Sequence, residues 1–177
     1  IKQFFWILHG DDDSLRCVAL LESHTMPELP EVETICCGLR PVLTGRVLVH
    51  VTQRRSDLRF PLPSGFERRL TGRRILDVQR RAKFILVRLD NEISLIIHLG
   101  MSGRLVIHGA NPPAAGPHDH IDFTTDAGAT IRFNDVRRFG FMDLVKDKGL
   151  LLYPMLAKLG PEPLGHHFNA LTLGASI

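Results

Sequence analysis

Phe84-Ile85-Leu86-Val87 and, a few residues on, Ile93-Ser94-Leu95-Ile96-Ile97 decide the architecture. Both runs are short and rich in β-branched, aromatic and leucine side chains, the composition of strands with little exposed surface. Working outward, the same kind of segment recurs. Val47, Val49 and Val51 alternate, then come Ile75 and Val78, Leu105-Val106-Ile107, Ile121 with Phe123, Ile131 with Phe133, and Phe139 with Phe141. Gly and Pro at Gly45, Pro61, Pro63, Gly72, Gly100, Gly103, Pro112, Pro113, Gly128 and Gly140 punctuate them at the spacing of a sandwich. The period is helical only before this region: Val32, Ile35, Cys36, Leu39, Val42 and Leu43 recur at three and four residues, and Pro30 suits a first turn. One amphipathic helix ending near Thr44-Gly45 is expected, with short helical pieces around Gly65 to Leu70 and after Asp147. The predicted fold is mainly β with flanking helices, a β-sandwich led by a helix.

At 177 residues and 44% hydrophobic content, the chain is long enough for one domain with a real core and too short for two full ones. The net charge of +3 is uneven. Residues 1–25 hold two basic and four acidic side chains, and residues 26–177 hold 20 basic against 15 acidic. A basic body is compatible with a polyanionic partner without requiring one. Cys17, Cys36 and Cys37 offer neither a disulfide framework nor paired CxxC zinc spacing, so a reducing, cytosolic setting is the simpler reading. The opening Ile1-Lys2-Gln3-Phe4-Phe5-Trp6-Ile7-Leu8 is too short and wrongly flanked for a signal sequence, and no stretch reaches membrane-spanning length.

Met26-Pro27-Glu28-Leu29-Pro30-Glu31-Val32-Glu33 carries the chemistry. A methionine before proline is readily removed, and its loss exposes a secondary amine. That nitrogen can attack a sugar C1′ and form an iminium, which drives loss of the base and then strand cleavage. An internal proline nitrogen is an amide without a proton and cannot do this. Glu28 can protonate the ribose ring oxygen or shuttle protons, and Glu31 lies one helical turn on. Read as structure alone, Pro and Glu here are ordinary helix-start chemistry.

The run from Pro27 to Thr34 resembles the start of the formamidopyrimidine-DNA glycosylases, bacterial enzymes that excise oxidised purines. The resemblance extends in order from Met26 to Asn169 through Gln79-Arg80-Arg81-Ala82-Lys83-Phe84, His98-Leu99-Gly100-Met101-Ser102-Gly103, His118-Asp119-His120, Asp135-Val136-Arg137-Arg138-Phe139-Gly140 and Leu159-Gly160-Pro161-Glu162-Pro163-Leu164. The similar endonuclease VIII group usually has glycine where Leu29 stands, which favours the oxidised-purine branch. The resemblance implies a β-sandwich catalytic domain of the family's N-terminal type and base-excision repair of duplex DNA. It implies removal of 8-oxoguanine and formamidopyrimidines, followed by AP-lyase β,δ-elimination through a Schiff base on Pro27. It implies a bifunctional glycosylase and lyase, monomeric, in the bacterial cytoplasm at the nucleoid. Pro27, Glu28 and Lys83 become the catalytic residues, with Glu31 supporting and Lys83 holding phosphates beside the lesion. Met101, Arg137, Arg138 and Phe139 become DNA contacts that fill the gap left by a flipped base and address its orphaned partner. His118 and His120, which alternate like a metal pair, are implied to touch phosphate instead. The arginines at 54, 55, 59, 68, 69, 73 and 74 read as a partly DNA-facing, mostly solvated surface.

Departures from the family pattern set further expectations. Residues 1–25 read as an extension preceding the natural start, non-native or disordered, which leaves the chain inactive while it blocks Pro27. Residues 26–157 read as the catalytic sandwich, and 158–177 as a linker and the truncated start of a helix-two-turn-helix domain. The family's structural zinc belongs to a four-cysteine finger beyond that point, so no cofactor or metal is expected. The competing reading is a non-catalytic, DNA-binding β-sandwich fragment.

Overall fold

A computed structural model of the chain describes residues 27–160 and Glu162. Helix α1 spans Leu29–Leu43 and is followed by β1, Leu48–Gln53, and the short α2, Phe66–Leu70. Seven strands follow: β2 Ile75–Arg81, β3 Phe84–Leu89, β4 Ile93–His98, β5 Gly103–His108, β6 Asp119–Thr125, β7 Thr130–Asp135 and β8 Phe141–Lys146. A 3-10 segment, Asp147–Leu152, and α3, Pro154–Ala157, come last. The strands form two four-stranded antiparallel sheets, ordered β1-β6-β7-β5 and β2-β3-β4-β8. The expected helix-led sandwich is the observed one.

Its main core lies between the sheets. Val51, Leu105, Ile121, Phe123, Ile131 and Phe133 of the first sheet meet Val78, Ile85, Val87, Leu95, Ile97, Met142 and Leu144 of the second. Strands β3 and β4 are apolar on both faces because both faces are covered. On the outer side, Phe84, Leu86, Ile96 and Phe141 pack with Leu156, Tyr153 and Leu159 of the closing segment. Helix α1 adds Val32, Ile35, Cys36, Leu39 and Leu43 to the main core and lies along β2, the edge strand of the second sheet. There Arg40 Nε donates to the Val78 carbonyl at 2.8 Å, so the helix satisfies a backbone group that an edge would leave open.

Two strands depart from simple alternation. Val47, Val49 and Val51 do not share a face: Leu48 and Val51 are buried and Val49 is 49% exposed. The register against β6 shifts between Leu48 and His50, and an extra residue in one strand turns every later side chain over. The same device between Ile75 and Asp77 explains how Ile75 and Val78, three apart, both point inward. Phe139, grouped above with Phe141 as strand, lies in the exposed loop before β8. The outer face of the first sheet holds buried charge rather than solvated polar groups. Arg132 makes two bonds of 2.9 Å to Asp122, which also pairs with Arg54 at 2.7 Å, and donates to the Pro113 carbonyl at 2.9 Å.

The expectations for residues 1–25 lie outside the described residues, as do those for 163–177. Among the described residues, no helix is long and apolar enough to cross a membrane.

Candidate active site

The register of the second sheet gathers the site. Phe84 of β3 pairs with His98 of β4, which pairs with Phe141 of β8. Lys83, the loop through Met101 and the loop from Val136 to Gly140 therefore all leave the sheet at the same end. The ring of His98 stacks on Phe141, centroids 5.4 Å apart and planes 17° from parallel, and lies 5.0 Å from Phe84. Burial, then the positive charges of Arg59 and Lys83, pushes the His98 pKa below its ordinary value, so the imidazole is held neutral. Its Nδ1 accepts the Gly100 N–H at 3.1 Å.

Helix α1 delivers the other half. Glu28 is its N-cap and Glu31 its third residue; the Glu31 carboxylate accepts the Glu28 N–H at 3.1 Å in a capping box. Pro27 stands just outside the helix. The Glu28 carboxylate, itself part of the capping box, also reaches Lys83, with Nζ 2.6 Å from Oε2. Lys83 is placed by the two-residue turn between β2 and β3, where Arg81 pairs with Phe84 and Ala82 takes φ +50°. Thus Glu28 and Lys83, two of the residues singled out in sequence, meet; Pro27 directly precedes Glu28, and Glu31 braces the cap.

Behind this turn runs an ion-pair chain that the sequence reading missed. Glu33 accepts from Arg40 at 3.0 Å and from Arg80 at 2.6 Å; Arg80, with a side chain 4% exposed, also pairs with Glu162 at 2.6 Å. Glu162 further accepts the Ala82 N–H at 3.1 Å. Its own burial opposes ionisation, but the bonds from Arg80 and the Ala82 N–H win and hold its pKa down at about 2. Periodicity cannot reveal such a pair 82 residues apart.

The Met101 loop and the Arg137–Phe139 loop touch. A Cβ on Gly100, whose φ is +63°, would stand 2.3 Å from the Phe139 carbonyl carbon, so only glycine fits. Arg138 adopts φ +56°, which carries Arg137 and Phe139 to one side. The Arg137 guanidinium sits over the Phe139 ring, 5.0 Å from its centroid. Their shared direction follows from a left-handed residue between them in a loop. Arg137, Arg138 and Phe139 are exposed and Met101 half-buried.

The two histidines separate. His118 is exposed, but His120 is 2% exposed and its Nε2 lies 2.8 Å from the Asp135 carbonyl oxygen. Placing His120 at a phosphate contact is therefore corrected: in β6 it faces inward, and its reachable nitrogen is occupied. Of the basic run, Arg54 and Arg55 are paired with Asp122 and Asp57, and Arg74 donates to the Gly45 carbonyl at 2.6 Å. The described residues do not fit the family's zinc. No three His, Cys, Asp or Glu side chains gather among them, and Cys36 and Cys37, about 100° apart round α1, are respectively buried and exposed.

A helix-led sandwich thus carries an acid–lysine pair at the helix N-terminus, at the end of the second sheet from which two loops project. Residues 26–142 match the formamidopyrimidine-DNA glycosylase N-terminal domain, and the chain belongs to that family. It is 52% identical over 152 residues to the formamidopyrimidine-DNA glycosylase of Dinoroseobacter shibae, covering 81% of this chain and 54% of that protein. To that of Rhodospirillum centenum it is 53% identical over 162 residues, covering 86% and 56%. Among solved structures, the complex of Lactococcus lactis Fpg with abasic-site DNA superposes with a TM-score of 0.70 at 30% identity, over 77% of this chain and 50% of that one. The complex of its T221P mutant with Fapy-dG DNA gives 0.70 at 31%, with the same coverage. The chain spans about half the length of the curated relatives it matches.

Proposed function

We propose that this chain is the catalytic domain of a bifunctional DNA glycosylase and AP lyase that removes oxidised purines, 8-oxoguanine and formamidopyrimidines, from duplex DNA. The observation that carries the reading is the 2.6 Å Glu28–Lys83 pair one residue from Pro27, on the same end of the sheet as Met101, Arg137 and Phe139. The free proline nitrogen attacks C1′ of the damaged nucleotide and displaces the base, which departs with a proton; the nitrogen then gives up its own proton as Glu28 protonates the ribose ring oxygen and the C1′–O4′ bond opens, leaving an iminium. The resulting iminium acidifies the C2′ protons, and successive eliminations expel the 3′ and then the 5′ phosphate. Lys83 neutralises the phosphates beside the lesion and holds Glu28 in place. Met101 and Phe139 fill the vacated stack, with Arg137 beside them and Arg138 and His118 at the backbone. We keep residues 26–157 as the catalytic unit of a monomer that works in the bacterial cytoplasm on the nucleoid; the bacterial relatives support that setting.

Borohydride trapping tests the reading, since only a Schiff base is reduced to a permanent protein–DNA crosslink. A chain opening at Pro27, joined to the remaining half of a curated relative, is expected to crosslink to duplex containing 8-oxoguanine. No crosslink from that protein would sink the proposal. A DNA-binding sandwich without lyase activity is the reading for any chain in which Pro27 remains acylated.

A further inference from the structure

The two projecting loops are bonded to one carboxylate. Asp135, the fully buried last residue of β7, accepts from the Ser102 hydroxyl through one oxygen and from the Gly140 N–H at 2.8 Å through the other. Ser102 Oγ in turn accepts the Arg137 N–H at 2.9 Å. Ser102 follows Met101 directly, and Arg137 and Gly140 bracket Arg138 and Phe139, so the ends of both loops converge on this pair.

The Asp135 backbone is pinned as well. Its N–H donates to the His118 carbonyl at 3.0 Å, and its carbonyl faces His120 Nε2 at 2.8 Å. A carbonyl only accepts, so Nε2 carries the proton; this gives buried His120 a structural task. A buried carboxylate bound mainly by neutral donors costs free energy that an apolar residue would not. Such a group is kept for what it orders.

We infer that Ser102 and Asp135 form a clasp that makes the Met101 loop and the Arg137–Phe139 loop one rigid unit, so that Met101 and Phe139 enter the duplex together. Both are positioning residues: Asp135 is fully buried and Ser102 half-buried, and each acts through the loops it ties. The functional half of this inference rests on the base-excision reading; the clasp itself does not.

Two measurements on the whole chain separate them. In the free protein, amide hydrogen exchange is expected to rise about tenfold in both loops at once in Ser102→Ala, and to stay near the unsubstituted rate in Ser102→Thr, which keeps the hydroxyl. Unchanged exchange in Ser102→Ala, or a rise in one loop alone, overturns the clasp. With DNA, 2-aminopurine opposite an abasic-site analogue reports unstacking on binding. Met101→Ala and Phe139→Ala are expected to be non-additive in this signal by about five- to tenfold, and additive once Ser102→Ala is present. Additivity in the unsubstituted protein overturns the coupling. Complete absence of a fluorescence rise from a chain opening at Pro27 and joined to the remaining half of a curated relative, with exchange behaving as stated, overturns the base-excision reading and leaves the clasp standing.

Discussion

Lys83 and Glu28 show how little a strong local geometry has to do with stability. The pair is short, yet Glu28 is 60% exposed at its side chain, so solvent screens it and removing either partner alters folding by less than about 1 kcal/mol. Turnover is another matter. Lys83→Gln is expected to cut trapping on the order of 10²-fold with an unchanged unfolding midpoint, read by gel crosslinking beside urea denaturation. His98 should do the reverse. Its folded pKa is depressed below 6.5, so the unfolded chain binds more protons there, and stability is lost as pH falls from 6.5. The urea midpoint of the unsubstituted chain should drop between pH 7.5 and 5.5, and that drop should shrink in His98→Asn. Pro27 and Glu28 can be singled out in sequence because their types are matched to a reaction, and Lys83 because it stands in a family motif. His98, Ser102, Asp135 and Glu162 cannot, because their importance lies in partners far away in the chain.

Elements were easier to read than their faces. All eight strands and α1 follow from short apolar runs and a helical period, but the bulge in β1 exchanged which valine is inside. A bulge inserts one residue without any composition signal. The turns make cleaner predictions. Glu92 sits at φ +58° between β3 and β4, far in sequence from the site loops; Glu92→Gly should raise stability by about 0.5–1 kcal/mol, measured by denaturant unfolding. Gly100→Ala has no room, since the blocking atoms are Phe139 backbone, and should lose about 2 kcal/mol or more while displacing the Arg137–Phe139 loop. Circular dichroism melts of the pair should move in opposite directions.

Across the whole molecule, the Arg40–Glu33–Arg80–Glu162 chain joins α1, β2 and the segment beyond α3. Glu162 is held near pH 2 against its ordinary 4.5, so its contribution is complete above pH 4.5 and fades as pH falls toward 2. Glu162→Gln is expected to cost about 1–3 kcal/mol at pH 7 and to flatten the acid limb of the stability curve, because Arg80 loses a charged partner in a buried place. No pattern of hydrophobicity encodes such a link, whereas the layered core it ties together was plain from the alternation of apolar segments.

Helix α1 has a second consequence. Its Arg40 side chain covers the carbonyl of Val78, an acceptor that otherwise stands open on the sheet's border. A peeled helix would expose that border to another molecule's strand at the same moment that it carried Pro27 away from Lys83. Inactivation and polymerisation would then share one initiating event, and loss of crosslinking on gentle heating should coincide with the onset of light scattering rather than precede it.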